Sequence, residues 1–299
     1  MEQKSNRSLI ISFVIGITFT LLGLACILMD FMPLAYGIFI ALPLAIGVSS
    51  GILPDVKQAI IGTMSSLVVF GLIAYFTESE GLVCLLMAAP VLLLAIGIGW
   101  SIGRIIRKNK QNQEANLKVA FYPFLILFTV GLFEFFAGDT KTHETVSSSI
   151  VLTASPSEVY QEIIAVDTVD VPLNVWHKIG LPTPTKCILT EEKVGGLRLC
   201  LFKEGQIVEK ITALEKDRLL RMDVTEFDLG KPRDWLEFDE DIYEIEPLAS
   251  GQTKITRTTT YLSSLKPRWY WEMAEKHTIE VEQDFVFRNL IRDIQNRNE

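Results

Sequence analysis

The second half of the chain contains one arginine whose position suits ligand binding. Arg257 follows Ile255 by two residues and precedes Tyr261 by four on a predicted strand, so the three side chains share one face. A guanidinium inside an apolar cavity would anchor a carboxylate or phosphate head group. Exposure on the opposite face is the alternative, because a buried arginine without a partner is costly.

Two histidines are the candidate general bases of this half. His177 and His277 are not accompanied by a GxSxG motif, by a cysteine at a matching spacing or by paired carboxylates on one helix face. A solvated or structural histidine is the alternative. We therefore assign no catalytic residue, and a cyclase or hydrolase that uses either histidine with Tyr261 is an alternative hypothesis.

The cysteines and histidines form no metal-binding motif. The four cysteines are dispersed without a CxxC pair, and the three histidines are never at helical ligand spacing. We expect neither a metal nor a cofactor.

Cys187 and Cys200 raise the question of a disulfide. A two-residue turn at Gly195-Gly196 would place Cys200 opposite Glu191, four residues from Cys187 along the strand. That offset is about 13 Å, too far for a bridge without a bulge. This register predicts two separate thiols, although an oxidising compartment would favour a bridge.

Aromatic residues cluster near the predicted loops and the start of the last helix. They would line a cavity mouth or rest at a bilayer surface, and the alternative is that they anchor helix to sheet. Met222 lies on the apolar face of an alternating strand. The candidate ligand-binding residues are Trp176, Met222, Arg257, Tyr261, Trp269, Tyr270 and His277.

The first 136 residues resemble a membrane domain. About 20 apolar residues cross a bilayer core, and five stretches qualify: Leu9 to Met29, Pro33 to Ile52, Ala59 to Phe76, Gly81 to Gly103 and Val119 to Phe136. The first could be a signal peptide, but its 21-residue apolar run and the four later stretches favour a span.

The distribution of charge predicts the orientation. All 8 Lys+Arg of residues 1–136 fall before span one, between spans two and three, or between spans four and five. The positive-inside rule assigns these segments to the cytoplasm. We therefore expect a multi-pass protein of a bacterial cytoplasmic membrane, with a cytoplasmic N-terminus and an extracytoplasmic C-terminal domain.

The two halves differ in net charge. Residues 1–136 carry 8 Lys+Arg and 7 Asp+Glu, whereas the remainder carries 20 and 29, a net of -9. Such an acidic domain repels phosphate backbones, so no nucleic-acid partner is expected. The run "DWLEFDEDIYEIE" is interpreted as a solvated face.

Two features of the spans bear on packing. Gly47 with Gly51 and Gly99 with Gly103 form GxxxG pairs in spans two and four, which predicts close packing to a partner helix. Glu134 is the one ionisable residue within the predicted spans, and its depth suggests that it reaches the interface.

The second half has an α+β pattern. "SPSE" at 155–158 predicts a capped helix start. Alternating segments separated by turn residues predict a strand at the beginning, six sequential strands between 187 and 262, and a helix from about Pro267 to Ile294. This order predicts an antiparallel sheet that curls round a long C-terminal helix.

Several segments carry a family resemblance that covers about residues 146 to 296. "SIVLTASPSEVYQEI", "GGLRLCLFKEGQIVEKITALEKDRLLRMDV" and "GQTKITRTTTYLSSLKPRWYW" resemble the SRPBCC superfamily, which includes START-like and polyketide cyclase-like proteins. The residues that carry the likeness are Arg198, Cys200, Phe202, Tyr261, Pro267, Tyr270 and Trp271. The resemblance implies a helix-grip fold with a hydrophobic cavity, and it does not imply an enzyme.

Together these features predict three parts: a five-span domain at 1–136, a linker at 137–145 and a helix-grip domain at 146–299. The leading hypothesis is a membrane-anchored protein that binds a hydrophobic or amphipathic small molecule or lipid beside the bilayer. An enzyme that uses the same cavity is one alternative. An accessory or assembly protein with a closed interior is the other.

Overall fold

The computed structural model describes residues 2–28, 35–76, 81–109, 123, 127–134, 136, 138, 140–230, 235–249 and 251–297. The chain forms two compact units. One comprises Met1–Thr140 and Ser264–Trp271, and the other comprises Lys141–Ser263 and Glu272–Glu299.

The first unit is helical. Its elements are α1 (Glu2–Leu28), a π-helical turn (Gly37–Ala41) that continues into α2 (Leu42–Gly51), α3 (Val56–Phe76) and α4 (Leu82–Asn109). Segments of α1, α3 and α4 are long and apolar enough to cross a membrane, whereas Gly37–Gly51 is a shorter apolar helix. The predicted fifth span lies largely outside the described residues, of which 127–134 are helical.

The glycines of the GxxxG pairs lie between α2 and α4. A Cβ on Gly99 would be 2.2 Å from the carbonyl oxygen of Leu44, and one on Gly47 would be 2.2 Å from that of Ile96. Only glycine permits backbones to approach this closely. The partner helix at each GxxxG pair is therefore another helix of the same chain.

Glu134 is buried rather than exposed at an interface. Its two carboxylate oxygens accept hydrogen bonds from the backbone N–H of Gly37, at 3.2 and 3.0 Å. Gly37 begins the π-helical turn, where backbone donors lack intrahelical acceptors. The carboxylate thus satisfies the amino end of this helix.

The second unit is a seven-stranded antiparallel sheet with three helices. The strands are β1 (Thr142–Leu152), β2 (Pro184–Leu189), β3 (Leu197–Phe202), β4 (Gln206–Glu215), β5 (Leu219–Asp228), β6 (Leu236–Pro247) and β7 (Thr253–Ser263). The helices are α5 (Pro156–Ile164), α6 (Val175–Lys178) and α7 (Arg268–Arg297), whose first four residues belong to the helical unit. β1 begins inside the stretch that was predicted to be a linker.

The strand order is β1-β7-β6-β5-β4-β3-β2. An apolar core packs residues of β5, β6 and β7 against α5 and the second half of α7, with Leu220, Ile255 and Leu290 among its members. The sheet and the long terminal helix that it holds are the helix-grip fold. The predicted fold class is therefore confirmed.

The register of β2 and β3 differs from the predicted one. Cys187 lies directly opposite Cys200, and the two form a disulfide. The predicted turn was wrong because Gly195 N–H donates to the Ile211 carbonyl and Ile211 N–H donates to the Gly196 carbonyl. The two glycines therefore pair with β4, and the β2–β3 connection is longer than two residues.

Candidate functional site

A buried ion pair occupies the concave side of the sheet near β3. Arg198 and Glu209 are direct neighbours on β3 and β4, and both are almost completely buried. Arg198 Nη1 lies 2.8 Å from Glu209 Oε2. Its Nη2 donates to the Ile163 carbonyl at 3.0 Å. One guanidinium thus joins the sheet to the end of α5.

Arg257 forms a second ionic group with the buried Asp241 and the partly exposed Glu282. Its Nη2 lies 2.8 Å from Asp241 Oδ2 on β6, and its Nη1 lies 2.9 Å from Glu282 Oε2 on α7. Thr259 donates to Asp241 at 2.7 Å, and Gln283 Nε2 donates to Thr259 at 2.9 Å. These contacts connect β6, β7 and α7.

Tyr243 lies between the two arginines. Its ring centroid is 5.8 Å from the guanidinium carbon of Arg198 and 5.4 Å from that of Arg257. These distances suit cation–π contact. The two ion pairs therefore form one array, which we call the interior ionic array: Arg198, Glu209, Asp241, Tyr243, Arg257 and Glu282.

Burial governs the titration of this array. Burial raises the pKa of Glu209 and of Glu282, and the neighbouring guanidinium groups oppose that change. For Arg257, burial opposes the charge, but the carboxylates of Asp241 and Glu282 outweigh it and raise the pKa. The array contains two guanidinium groups and three carboxyl groups. Each arginine therefore already has a carboxylate as its counter-charge.

The inward-facing candidates Met222 and Tyr261 lie in a packed interior. Both have 0% of their surface exposed. The Tyr261 hydroxyl donates to Glu275 Oε2 at 3.2 Å, and the Ser263 hydroxyl donates to Glu275 Oε1 at 2.6 Å. Neither side chain is accessible to solvent.

The other candidates are half-buried or exposed. His277 is exposed, and its ring packs edge to face on the half-buried Trp176 with centroids 5.3 Å apart. Trp269 is 67% exposed, and the Tyr270 hydroxyl donates to the Met87 carbonyl of α4. Trp269 and Tyr270 belong to the helical unit. Within the helix-grip unit, Trp176 contacts His277, whereas Met222 and Tyr261 are fully buried.

His177 is buried beside an aromatic ring. Its ring centroid lies 4.2 Å from that of Phe285, and its Nδ1 lies 2.7 Å from Asn174 Oδ1. Burial, followed by the charges of Arg288 and Lys203, lowers the pKa of His177 to about 4. The imidazole is therefore neutral near pH 7 and a weak base.

Sequence reasoning did not identify Asp241 and Glu282 as the partners of Arg257. Asp241 is 2% exposed, so the interpretation of the acidic run as a solvated face is wrong at this position. A usable signal was present, because Asp241 alternates in phase with Tyr243 and Ile245, which are also buried. Glu282 carries no comparable local signal. Among the described residues, no group of three or more His, Cys, Asp or Glu could hold a metal ion.

These features define the second unit as a helix-grip domain with a packed, ionic interior. No family model matches the chain, and no curated protein does. Several solved structures match about half of the chain. Protein Ms6760 from Mycobacterium smegmatis is 14% identical, with 53% of this chain and 98% of that chain covered and a TM-score of 0.37.

A point mutant of norcoclaurine synthase from Thalictrum flavum is 10% identical, with 54% of this chain and 100% of that chain covered and a TM-score of 0.36. Ara h 8.0201 is 15% identical, with coverages of 52% and 99% and a TM-score of 0.36. These structure neighbours are Bet v1/SRPBCC-like proteins. Their identities are too low to transfer a ligand or an activity to this chain.

Proposed function

We propose that this chain is a membrane-anchored accessory or assembly protein whose helix-grip domain binds a protein partner through its outer surface. The observation that carries the proposal is the closed interior. Met222 and Tyr261 have no accessible surface, and Arg257 is engaged by Asp241 and Glu282. Close packing at these inward-facing positions supports an interior that the protein's own side chains occupy.

An apolar strip on the outer face of the sheet is the proposed contact surface. Ile188, Leu199 and Val208 lie side by side on β2, β3 and β4. Ile188 is 44% exposed and Leu197 at the start of β3 is 40% exposed, whereas Leu199 and Val208 are half-buried. Lys210 borders the strip. An exposed apolar strip with a polar rim suits a protein interface.

Site-specific photo-crosslinking in membranes tests this surface. A photoreactive residue at Leu199 should give a defined protein adduct, whereas one at the exposed Thr145 should not, because β1 lies at the opposite end of the strand order from β2, β3 and β4. The mass of the adduct distinguishes a second copy of the chain from another protein. Equal labelling at both positions, or none, would overturn the proposal.

Membrane anchoring and the extracytoplasmic side form part of the proposal. Three helices long and apolar enough to cross a bilayer support the anchoring. The Cys187–Cys200 disulfide supports an oxidising compartment for the helix-grip domain. Protease treatment of sealed membrane vesicles of known orientation tests the side on which this domain lies.

Binding of an amphipathic small molecule or lipid in the helix grip is the second candidate function. Arg198 Nε and Gln283 Oε1 favour it, because both are buried without a hydrogen-bond partner among the described residues. A polar ligand group could satisfy them if α7 moved away from the sheet. Native mass spectrometry of the full chain decides the matter: a stoichiometric small molecule that is lost on Arg198→Met would replace the closed-interior proposal.

A further inference from the structure

A cavity of about 190 Å³ lies among α2, α3 and α4 of the helical unit. Ile60, Met64 and Leu93 are among the apolar residues that line it. Ile60 and Leu93 remain 42% and 47% exposed, so the cavity opens onto the outer surface of the helices. If these helices span a bilayer, that surface faces lipid.

Two hydroxyl groups of the cavity lining satisfy each other. The hydroxyl oxygens of Ser50 and Thr63 are 2.8 Å apart and share a buried hydrogen bond. The indole Nε1 of Trp100 is different, because it is buried without a partner among the residues that the structure describes. The lining is thus apolar with one unused donor.

Gly97 keeps the cavity open. A Cβ built on Gly97 would meet no heavy atom within 4 Å, whereas one on Gly99 would meet a carbonyl oxygen at 2.2 Å. Gly99 is needed for close helix packing and Gly97 is not. The missing side chain of Gly97 therefore leaves free volume.

Basic residues cluster at one end of the cavity. The guanidinium carbon of Arg104 lies 5.1 Å from the Trp100 ring centroid. Arg107 Nη1 donates to the carbonyl oxygens of Leu53 and Pro54, at 2.7 and 2.9 Å. The basic end of α4 therefore lies beside the start of α3, where Lys57 is exposed.

We propose that this cavity binds an anionic glycerophospholipid. One acyl chain lies along Ile60, Met64 and Leu93, and the phosphate lies against Lys57 and Arg104. Charge selects the occupant, because an apolar groove beside two cations at a membrane surface favours an anionic head group over a zwitterionic one. This inference rests on the membrane anchoring of the proposed function.

Native mass spectrometry of the full chain, released from nanodiscs of phosphatidylglycerol or of phosphatidylcholine with the same acyl chains, tests the site. The wild type should retain one phosphatidylglycerol in preference to phosphatidylcholine. Lys57→Gln and Arg104→Gln should each lower that preference by about fivefold. Gly97→Leu should remove retention of both lipids because it fills the groove.

Gly71→Leu is the matched control, since a Cβ on Gly71 also meets nothing within 4 Å. It should retain lipid like the wild type. Equal retention of both lipids, or retention that Gly97→Leu leaves unchanged, would overturn the inference. Alkaline carbonate extraction of membranes separates the two proposals. Release of the chain into the soluble fraction would refute membrane anchoring. If the chain resists extraction and Gly97→Leu does not change lipid retention, the lipid site alone is refuted.

Discussion

The guanidinium of Arg257 on β7 lies against the carboxylate of Asp241 on β6, with Nη2 2.8 Å from Oδ2, in the interior of the helix grip. Removing one partner of a buried pair leaves an uncompensated charge. We therefore expect Arg257→Met to lower the free energy of unfolding by about 3–5 kcal/mol. Urea unfolding of the purified protein, followed by hydrogen exchange of the β6 and β7 amides, measures the change.

The exposed pair Arg221–Glu240 provides the control. Arg221 is about half exposed, and its Nε lies 3.3 Å from Glu240 Oε1. Arg221→Met should cost less than about 1 kcal/mol, because solvent screens surface pairs. Similar losses for the two variants would mean that the interior ionic array contributes no more than a surface pair.

Acid should destabilise the helix-grip domain through His177. The pKa of His177 is lowered to about 4 in the folded protein from an ordinary 6.5. The unfolded chain therefore binds the proton first as the pH falls, and stability present above pH 6.5 is lost towards pH 4. We expect a loss on the order of 2 kcal/mol across this window.

His177→Gln should remove that part of the pH dependence because glutamine does not titrate. Thermal melts at closely spaced pH values, recorded by circular dichroism, give both profiles. Parallel profiles for the wild type and His177→Gln would contradict the prediction.

The Cys187–Cys200 disulfide should stabilise the β2–β3 edge of the sheet. The two cysteines are separated by 13 positions. Closing a loop of this size in the unfolded chain is worth about 3 kcal/mol in the chain-entropy account. The double variant Cys187→Ser, Cys200→Ser should therefore unfold at lower urea concentration than the wild type.

Thiol alkylation with and without reductant provides an independent check. With both samples denatured, the wild type should carry two more labels with reductant than without it, whereas the double variant should carry the same number in both. A wild type that takes up the same number of labels in both conditions would show that the two cysteines are not bridged.

Packing of α2 on α4 should depend on Gly99. A Cβ at this position would lie 2.2 Å from the Leu44 carbonyl oxygen, so Gly99→Leu must separate the helices. We expect a lower thermal midpoint in detergent and increased protease cleavage near the α2–α3 connection. Gly71→Leu is the control because its Cβ has open space. Equal behaviour of the two variants would contradict this packing.

Local signals predicted the elements of the helix-grip domain well. The Ser155 side chain accepts from Glu158 N–H, and Glu158 accepts in return from the Ser155 backbone, as the predicted capping box requires. β3 has the predicted bounds, Leu197–Phe202. Capping and alternation depend on residues close in sequence, so the printed sequence contains the information needed.

The interior required long-range information. Arg257 was predicted either as an anchor for a ligand or as a surface residue, and the structure adds two partners from other elements, Asp241 and Glu282. Strand alternation shows that Arg257 and Tyr261 share a face. It cannot show which charges the neighbouring strand and α7 bring to that face.

The sequence by itself determined two halves of opposite character, the apolar helices, the strands and the terminal helix, because hydrophobic period and net charge are local properties. The tertiary structure alone decided the register that joins Cys187 to Cys200, the burial of Asp241 and the engagement of Glu134 by Gly37. Each of these depends on a contact between segments distant in the chain. Such contacts are selected by the packing of the whole unit rather than by any short pattern.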